Sequence, residues 1–339
     1  MQNRQLVLAS RPVGVPQPEH FELVETTLPS LGEGEFLVEN IYLSVDPAQR
    51  GYVNDEDNYA PPVAIGEVMR AMAVGRIIDS RHNDYAVGDY LYGWFGWQEY
   101  CICQPTAVLR KVDPAQAPLS FGAGLLGING LTAWLALEDI GKLKSGETVL
   151  ITAAAGAVGS IAGQLAKQAG CRTVAVTSSD DKGKQCVEEF GFDTWINYQN
   201  PLETELQRAC PDGIDVFFDN VAGSIGDAIY GHMNFFGRVI QCGTVSIASW
   251  KPVPQGPRKE RDILTRRLRV EGFVIFDHLA RYDHAAQQLA NLWTAGSLLY
   301  HEDIVDGIES APQALVEVYA GRNRGKKLVR LRNEDSTSI

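Results

Sequence analysis

Histidine is scarce, six in 339 residues, and none stands at an H-x-x-x-H or similar spacing, so a helix-borne catalytic metal is not expected. Cysteine is scarce too. Of Cys101, Cys103, Cys171, Cys186, Cys210 and Cys242, only the first two lie close enough to share a site. C-x-C on an alternating strand turns both side chains to one face, yet no second pair or nearby histidine completes a zinc set. No metal site is assigned, and the cysteines read as reduced core or surface residues. A run of about eighteen apolar residues is also missing, which leaves no membrane span, and residues 1–8 turn polar at once, without a signal-peptide core. Basic residues are outnumbered: 42 Asp and Glu against 30 Lys and Arg give a net charge of -12. That balance repels nucleic acid and anionic membrane, and the densest basic patch, Arg266, Arg267 and Arg269, is short. A cytoplasmic enzyme of two domains is the expectation for this length.

What is present is organised around residues 148–182. Val149 to Thr152 form a short apolar run ending in small residues, and Val158, Ile161, Ala162, Leu165 and Ala166 then recur at helical spacing. A second β-rich run, Thr173 to Thr177, follows. Gly156 and Gly159 sit where strand hands over to helix. There the backbone turns tightly, and an anion, such as a dinucleotide pyrophosphate, reaches bare amides at a helix N-terminus. The match to G-x-G-x-x-G is imperfect, because Ala154 replaces the first glycine, but the strand-turn-helix-strand context is the one the fingerprint requires. The alternative is an ordinary crossover that uses glycines for packing. The second strand ends in Thr177, Ser178 and Ser179, followed by Asp180, Asp181 and Lys182. Hydroxyls and a cation suit a 2′-phosphate, so NADP(H) is favoured over NAD, with Lys182 as phosphate partner; the competing reading of Lys182 is a solvated helix-start lysine.

The first 120 or so residues are rich in strands and turns. Phe21 to Val24, Glu35 to Val45, Met69 to Ile78 and Tyr90 to Cys103 carry β patterns, and a small, nearly closed β-domain is the economical reading. Between them, Leu43 to Tyr52 is polar and broken by Pro47, the kind of loop where substrate contacts tend to sit. From Phe121 to Leu137 the chain is apolar and glycine-rich, suiting a closely packed helix pair at a domain junction. Beyond the fingerprint the predicted elements are a strand at Trp195 to Tyr198, a helix at Pro201 to Cys210 and a strand at Ile214 to Asp219. A helix at Ile225 to Phe236 and strands at Arg238 to Cys242 and Val270 to Ile275 follow. Six parallel strands result. Ligands of such sheets gather at the carboxyl ends of the strands, which makes Asn220, Cys242, Gly243, Thr244 and neighbours to Ser246, with Phe273, Val274 and Ile275, expected cofactor neighbours. Ala311 to Ala320 is predicted as a helix, and Lys327 to Leu331 as a strand closing the first domain.

These residues resemble the medium-chain dehydrogenase/reductase superfamily. More narrowly, Leu43-Ser-Val-Asp-Pro47, Arg50-Gly51, Ile65-Gly-Glu-Val-Met69, the Ala153 to Ser160 turn, Phe218-Asp-Asn-Val221, Cys242-Gly243, Glu271-Gly-Phe273 and Gly321-x-Asn323-x-Gly-Lys326 resemble its zinc-independent prostaglandin, leukotriene, curcumin and double-bond reductase branch. The resemblance spans nearly the whole chain. It implies an α/β fold: a doubly wound parallel-sheet (Rossmann) NADP-binding domain at 126–299, with a β-rich GroES-like barrel domain at 1–125 and 300–339 for substrate. It implies NADPH-dependent reduction of the carbon-carbon double bond of α,β-unsaturated ketones and aldehydes, small-molecule enone or enal substrates, and a homodimer. By resemblance, Gly156, Ala157, Val158 and Gly159 hold the pyrophosphate, Lys182 and Tyr198 the 2′-phosphate, and Asn220, Cys242, Phe273 to Ile275 and Asn323 the rest of the cofactor. The chain departs from the pattern where Ala248 stands in place of a common tyrosine, and where Ala48 and Gln49 replace a frequent Tyr-Met.

In that chemistry, hydride adds to the β-carbon and negative charge develops on the carbonyl oxygen, which needs a donor. With zinc ligands missing, a cofactor ribose hydroxyl or a tyrosine must serve; Tyr52 and Tyr59 are the catalytic candidates, the alternative being rings that only wall the pocket. An NADPH quinone reductase and a non-catalytic NADP-binding protein are the competing functions.

Overall fold

In the computed structural model, residues 1–56, 58, 60–247 and 252–334 are described; Tyr59 and Ala248, singled out above, lie outside them. The chain runs β1 (Gln2–Leu8), β2 (Phe21–Thr27), β3 (Phe36–Ser44), α1 (Gln49–Tyr52), β4 (Ala73–Ser80), β5 (Tyr90–Gly93), β6 (Tyr100–Cys103) and β7 (Val108–Val112). There follow α2 (Ile128–Ala136), β8 (Thr148–Thr152), α3 (Gly159–Gln168), β9 (Arg172–Thr177), α4 (Asp180–Glu188), β10 (Thr194–Asn197), α5 (Leu202–Ala209) and β11 (Ile214–Asp219). Then come α6 (Gly223–Ile229), β12 (Met233–Gln241), α7 (Glu260–Arg266), β13 (Arg269–Gly272), α8 (Tyr282–Thr294), β14 (Glu302–Asp306), α9 (Ala311–Tyr319) and β15 (Lys326–Arg330). The chain divides into two compact units, Met1–Gly127 with Glu302–Ile339, and Ile128–His301.

In the first unit the described strands form a sheet in the order β14-β15-β3-β4-β5-β7, with β6 also paired to β3 and a separate β1-β2 pair. Pairing is antiparallel except between β14 and β15. Strand β3 is almost wholly buried, because neighbours cover both its faces. Its one amide side chain, Asn40, is half used there: Nδ2 donates to the Gln98 carbonyl at 2.8 Å, next to a register shift, while Oδ1 has no partner among the described residues. Phe36, Leu43, Ile77, Leu91, Phe95 and Trp97 fill the core. The expected run Tyr90 to Cys103 is two strands separated by a loop, and Met69 to Met72 precede β4 rather than open it.

In the second unit six described strands lie parallel in the order β10-β9-β8-β11-β12-β13. All five residues of β8 are buried, as a central parallel strand covered on both faces requires. The order reverses direction between β8 and β11, which makes this pair the switch point of the sheet. Two boundaries differ from expectation. The helix predicted to Phe236 ends at Ile229, and Met233 already pairs with Ile214 in β12; Gly231 breaks the apolar periodicity. The strand predicted to Ile275 ends at Gly272, and Ile275 opens a 3-10 turn.

Candidate dinucleotide site at the carboxyl ends of the parallel strands

After β8 the chain reverses through Ala153, whose φ of +50° is left-handed, a conformation that costs a non-glycine residue about 1 kcal/mol. The Gly156 amide closes this turn on the Ala153 carbonyl at 2.9 Å. A Cβ on Gly159 would lie 2.4 Å from that same carbonyl oxygen and 2.8 Å from the Ala154 Cα, so only glycine lets α3 start against the strand end. Gly156, Ala157 and Val158 stay partly exposed, while Gly159 and Ser160 are buried. The first amides of α3 therefore open on a partly exposed turn, the setting in which a helix N-terminus holds an anion. In the fingerprint register the first glycine would fall on Ala154; the left-handed residue is Ala153, one place earlier.

The next two strand ends carry the polar groups expected beside a phosphate. Ser179 caps α4, its hydroxyl accepting from the Lys182 amide at 3.3 Å, so Lys182 sits in the first turn. Tyr198 lies at the same end of the sheet, its amide bonded to the Thr177 carbonyl at 3.1 Å. Asp180, one of the acidic pair beside Lys182, accepts from Asn197 Nδ2 at 3.1 Å and occupies the first turn of α4, where a carboxylate favours the helix dipole.

Across the switch point, Asn220 is tied to β8 twice. Its amide donates to Thr152 Oγ1 and its Nδ2 to the Thr152 carbonyl, each at 2.8 Å. Cys242 and Gly243 both donate their amides to the Asp219 carbonyl, at 2.8 and 3.0 Å, and the Ile247 amide bonds back to Thr244 at 2.9 Å. Burial, with Asp219 nearby, pushes the Cys242 thiol up to about 12, so it carries no thiolate at neutral pH. At the outermost strand, the Phe273 amide bonds to Gln241 and its ring stacks on His278, centroids 4.7 Å apart. Val274 precedes the 3-10 turn, and buried Ile275 accepts from the Tyr282 hydroxyl at 3.2 Å. All these residues belong to the second unit.

Two expected residues belong to the first unit. Asn323 lies in the turn before β15 and donates from Nδ2 to the Gly325 carbonyl at 2.7 Å. Tyr52 is only 3% exposed; the Arg70 guanidinium lies over its ring at 5.3 Å and Trp94 meets its edge at 6.0 Å. This is the environment of a closely packed ring. Sequence reasoning assigned no role to Thr152 or Asp219, although both are wholly buried and hold Asn220 in place. The one available signal was a charged residue ending the otherwise buried apolar stretch Val216-Phe-Phe-Asp219. Among the described residues, no three His, Cys, Asp or Glu side chains gather to hold a metal ion.

A glycine-cradled helix start, hydroxyls and a lysine at the neighbouring strand end, and polar groups across the switch point define a dinucleotide-binding α/β protein. Two family profiles match the sequence: one described as the N-terminal domain of oxidoreductase, at residues 4–112, and one described as zinc-binding dehydrogenase, at residues 157–291. The chain is 39% identical to the NADPH-dependent curcumin reductase of Escherichia coli K12 over 339 residues, 98% of each chain. It is 35% identical to the NADP-dependent 2-alkenal reductase of Nicotiana tabacum, again across 98% of both. The crystal structure of CurA from Vibrio vulnificus in complex with NADPH superposes with a TM-score of 0.92 at 35% identity, covering 97% of this chain and 99% of that one. The chain belongs to the zinc-independent branch of the medium-chain dehydrogenase/reductase superfamily, with the curcumin, 2-alkenal and prostaglandin reductases.

Proposed function

We propose that this protein uses NADPH to reduce the carbon-carbon double bond of α,β-unsaturated ketones and aldehydes, without zinc. The observation that carries the reading is the gathering of the 153–159 turn, Lys182, Tyr198 and Asn220 at one end of a single parallel sheet, in a chain so similar to NADPH-dependent reductases of such bonds. The second unit binds the dinucleotide and the first supplies substrate contacts. Gly156, Ala157, Val158 and Gly159 form the turn that holds the pyrophosphate, and Lys182, Tyr198 and the Ser178 and Ser179 hydroxyls hold the 2′-phosphate. Asn220, the Cys242 to Thr244 segment, Phe273 to Ile275 and Asn323 receive the remainder.

When bound, the reduced nicotinamide supplies the hydride that adds to the substrate β-carbon. What the chain adds is orientation and exclusion of water, which alone carry large factors in rate. Of the two tyrosine candidates, Tyr59 stands as the proposal for the donor to the developing oxyanion, and Tyr52 as a ring that walls the site. The packing of Tyr52 against Arg70 and Trp94 supports a positioning role for its ring, so Tyr52→Phe should keep most of the activity. We further propose a cytoplasmic homodimer. The six cysteines are unpaired thiols, and no helix among the described residues is long and apolar enough to cross a membrane. Among the described residues, strand β13 is the last of its sheet, with Arg269 and Glu271 side by side on it at 2.5 Å, a charge pattern that is self-complementary about a two-fold axis.

The test is NADPH oxidation by purified protein with a small enone, a long alkenal and a quinone, and NADH in parallel. Turnover of the enone or alkenal, with the product lacking its double bond and NADPH strongly preferred, is expected. Turnover of the quinone alone would transfer the function to quinone reduction.

A further inference from the structure

Asp219 ends β11 with no exposed surface, and a buried carboxylate is costly unless its acceptors are used. Its Oδ1 takes three donors: Thr152 Oγ1 at 3.0 Å and the amides of Val221 and Ala222 at 2.9 Å each. Its Oδ2 has no hydrogen-bond partner among the described residues. The Thr152 hydroxyl is used in both senses, because it gives its proton towards Asp219 while accepting from the Asn220 amide at 2.8 Å. A weaker contact from the same hydroxyl to the Phe218 carbonyl, at 3.4 Å, loses to the shorter, charge-assisted one.

The surroundings are fitted to this carboxylate. A Cβ on Gly226, in α6, would lie 2.8 Å from Asp219 Oδ2, so the helix approaches only because that position is glycine. Ala222 is held at a φ of +58°, a conformation an alanine adopts only under local constraint, and its amide is one of the three donors. The turn so fixed anchors its neighbour: the Ser246 hydroxyl donates to the Val221 carbonyl at 2.7 Å, and the Ser246 amide to the same oxygen at 3.0 Å. The bonds to Asp219 fix the turn on either side of Asn220, and those from Ser246 tie the segment after β12 to that turn.

We infer that Thr152 and Asp219 are positioning residues for the coenzyme, a buried bracket across the β8/β11 switch point that sets the Asn220 carboxamide and the loop after β12 for NADPH. This inference rests on the proposed NADPH-dependent function. One Nδ2 hydrogen of Asn220 is used on the Thr152 carbonyl, which fixes the plane of the carboxamide and leaves Oδ1 and the second Nδ2 hydrogen for the coenzyme. Without the Thr152 hydroxyl, the Asn220 amide loses its acceptor and the turn loses one of its ties to β8.

The experiment measures NADPH affinity by fluorescence titration, and KM and kcat with a small enone, for wild type, Thr152→Val, Thr152→Ser and Gly226→Ala. Thr152→Val preserves shape and removes the hydroxyl; it should weaken NADPH binding and raise its KM about tenfold, the size of one to two lost hydrogen bonds. The kcat at saturating NADPH and the KM for the enone should stay within about twofold. Thr152→Ser should restore NADPH affinity. Gly226→Ala removes no hydrogen-bonding group but presses on Oδ2, and should weaken NADPH in the same selective way, which keeps the inference testable if Thr152→Val fails to fold. Wild-type binding of NADPH with affinity unchanged in both Thr152→Val and Gly226→Ala overturns the inference alone, as does a fall in kcat that matches the rise in KM. Absence of NADPH binding by the wild-type protein overturns the proposed function and the inference together.

Discussion

Each unit ends a buried strand near an aspartate, and the two aspartates are answered differently. In the first unit, Asp46 follows β3 and meets a cation: Lys326 Nζ, 1% exposed, lies 2.7 Å from Oδ1 and also donates to the Val45 carbonyl at 2.8 Å. The Ser44 hydroxyl bonds to the other oxygen. Burial pulls the Lys326 ammonium downward, and Asp46 opposes it. In the second unit, Asp219 is met among the described residues by neutral donors only, two amides and a hydroxyl. A buried ion pair is costly to break from one side, because the survivor is left charged and alone. Neutral donors can be removed one at a time at a smaller cost. The first arrangement therefore joins parts of a fold, whereas the second adjusts a site.

That contrast can be broken most severely at Lys326. Lys326→Met should destabilise the protein by about 3–5 kcal/mol by stranding Asp46, seen as a lowered midpoint in chemical denaturation. Adding Asp46→Asn to that variant should recover part of the loss.

Glu302, at the start of β14 in the same unit, sharpens the contrast through pH. Burial raises its carboxyl to about 7, with Ser120 and Lys326 holding it down in part. Since the folded value lies above the ordinary 4.5, folding favours the protonated acid. Its stabilising contribution is complete below about pH 4.5 and is lost as pH rises through about 7. Glu302→Gln should therefore be more stable than wild type at pH 8, by on the order of 2 kcal/mol, and about equal at pH 4. Thermal melts at the two pH values check this.

In the second unit, the cation that matters is expected at the mouth of the site. Lys182→Ala should raise the KM for NADPH about tenfold, as expected for one charge-assisted contact to a phosphate, while the KM for NADH stays unchanged. The smallest effect falls on the neutral bracket: Thr152→Val should cost only about 1 kcal/mol in global stability, by the same denaturation assay that registers Lys326→Met.

Legibility followed the same division. The parallel sheet was readable because its strands are continuous apolar runs, such as Val149 to Thr152, punctuated by glycines whose spacing has a mechanical reason. Boundaries failed where two periodicities overlap. Met233 to Phe236 extend the pattern of α6, but they open β12, where Met233 pairs with Ile214 of β11; only the sheet could decide that. The first unit hid its opening strand, because Gln2–Leu8 alternates weakly and is recognisable by its antiparallel register with Phe21–Thr27. Thr152 and Asp219 escaped notice for another reason. A threonine ending a strand is ordinary there, and a bond between residues 67 apart leaves no local trace. The sequence left Tyr52 between two readings, donor or packed ring, because its neighbours in sequence are polar while Arg70 and Trp94, which pack on it, come from elsewhere.

The ion pair between Asp46 and Lys326 joins residues 280 positions apart, and this has a meaning for biosynthesis. At about 5–20 residues per second, Asp46 emerges from the ribosome tens of seconds before its lysine exists. The nucleotide unit, contiguous from Ile128 to His301, is complete before that moment, and the first unit is not. A newly made chain thus carries a finished coenzyme-binding half beside a β-sheet still waiting for β15, and a truncation that removes only the last strand would withhold the counter-ion from an aspartate made at the very beginning.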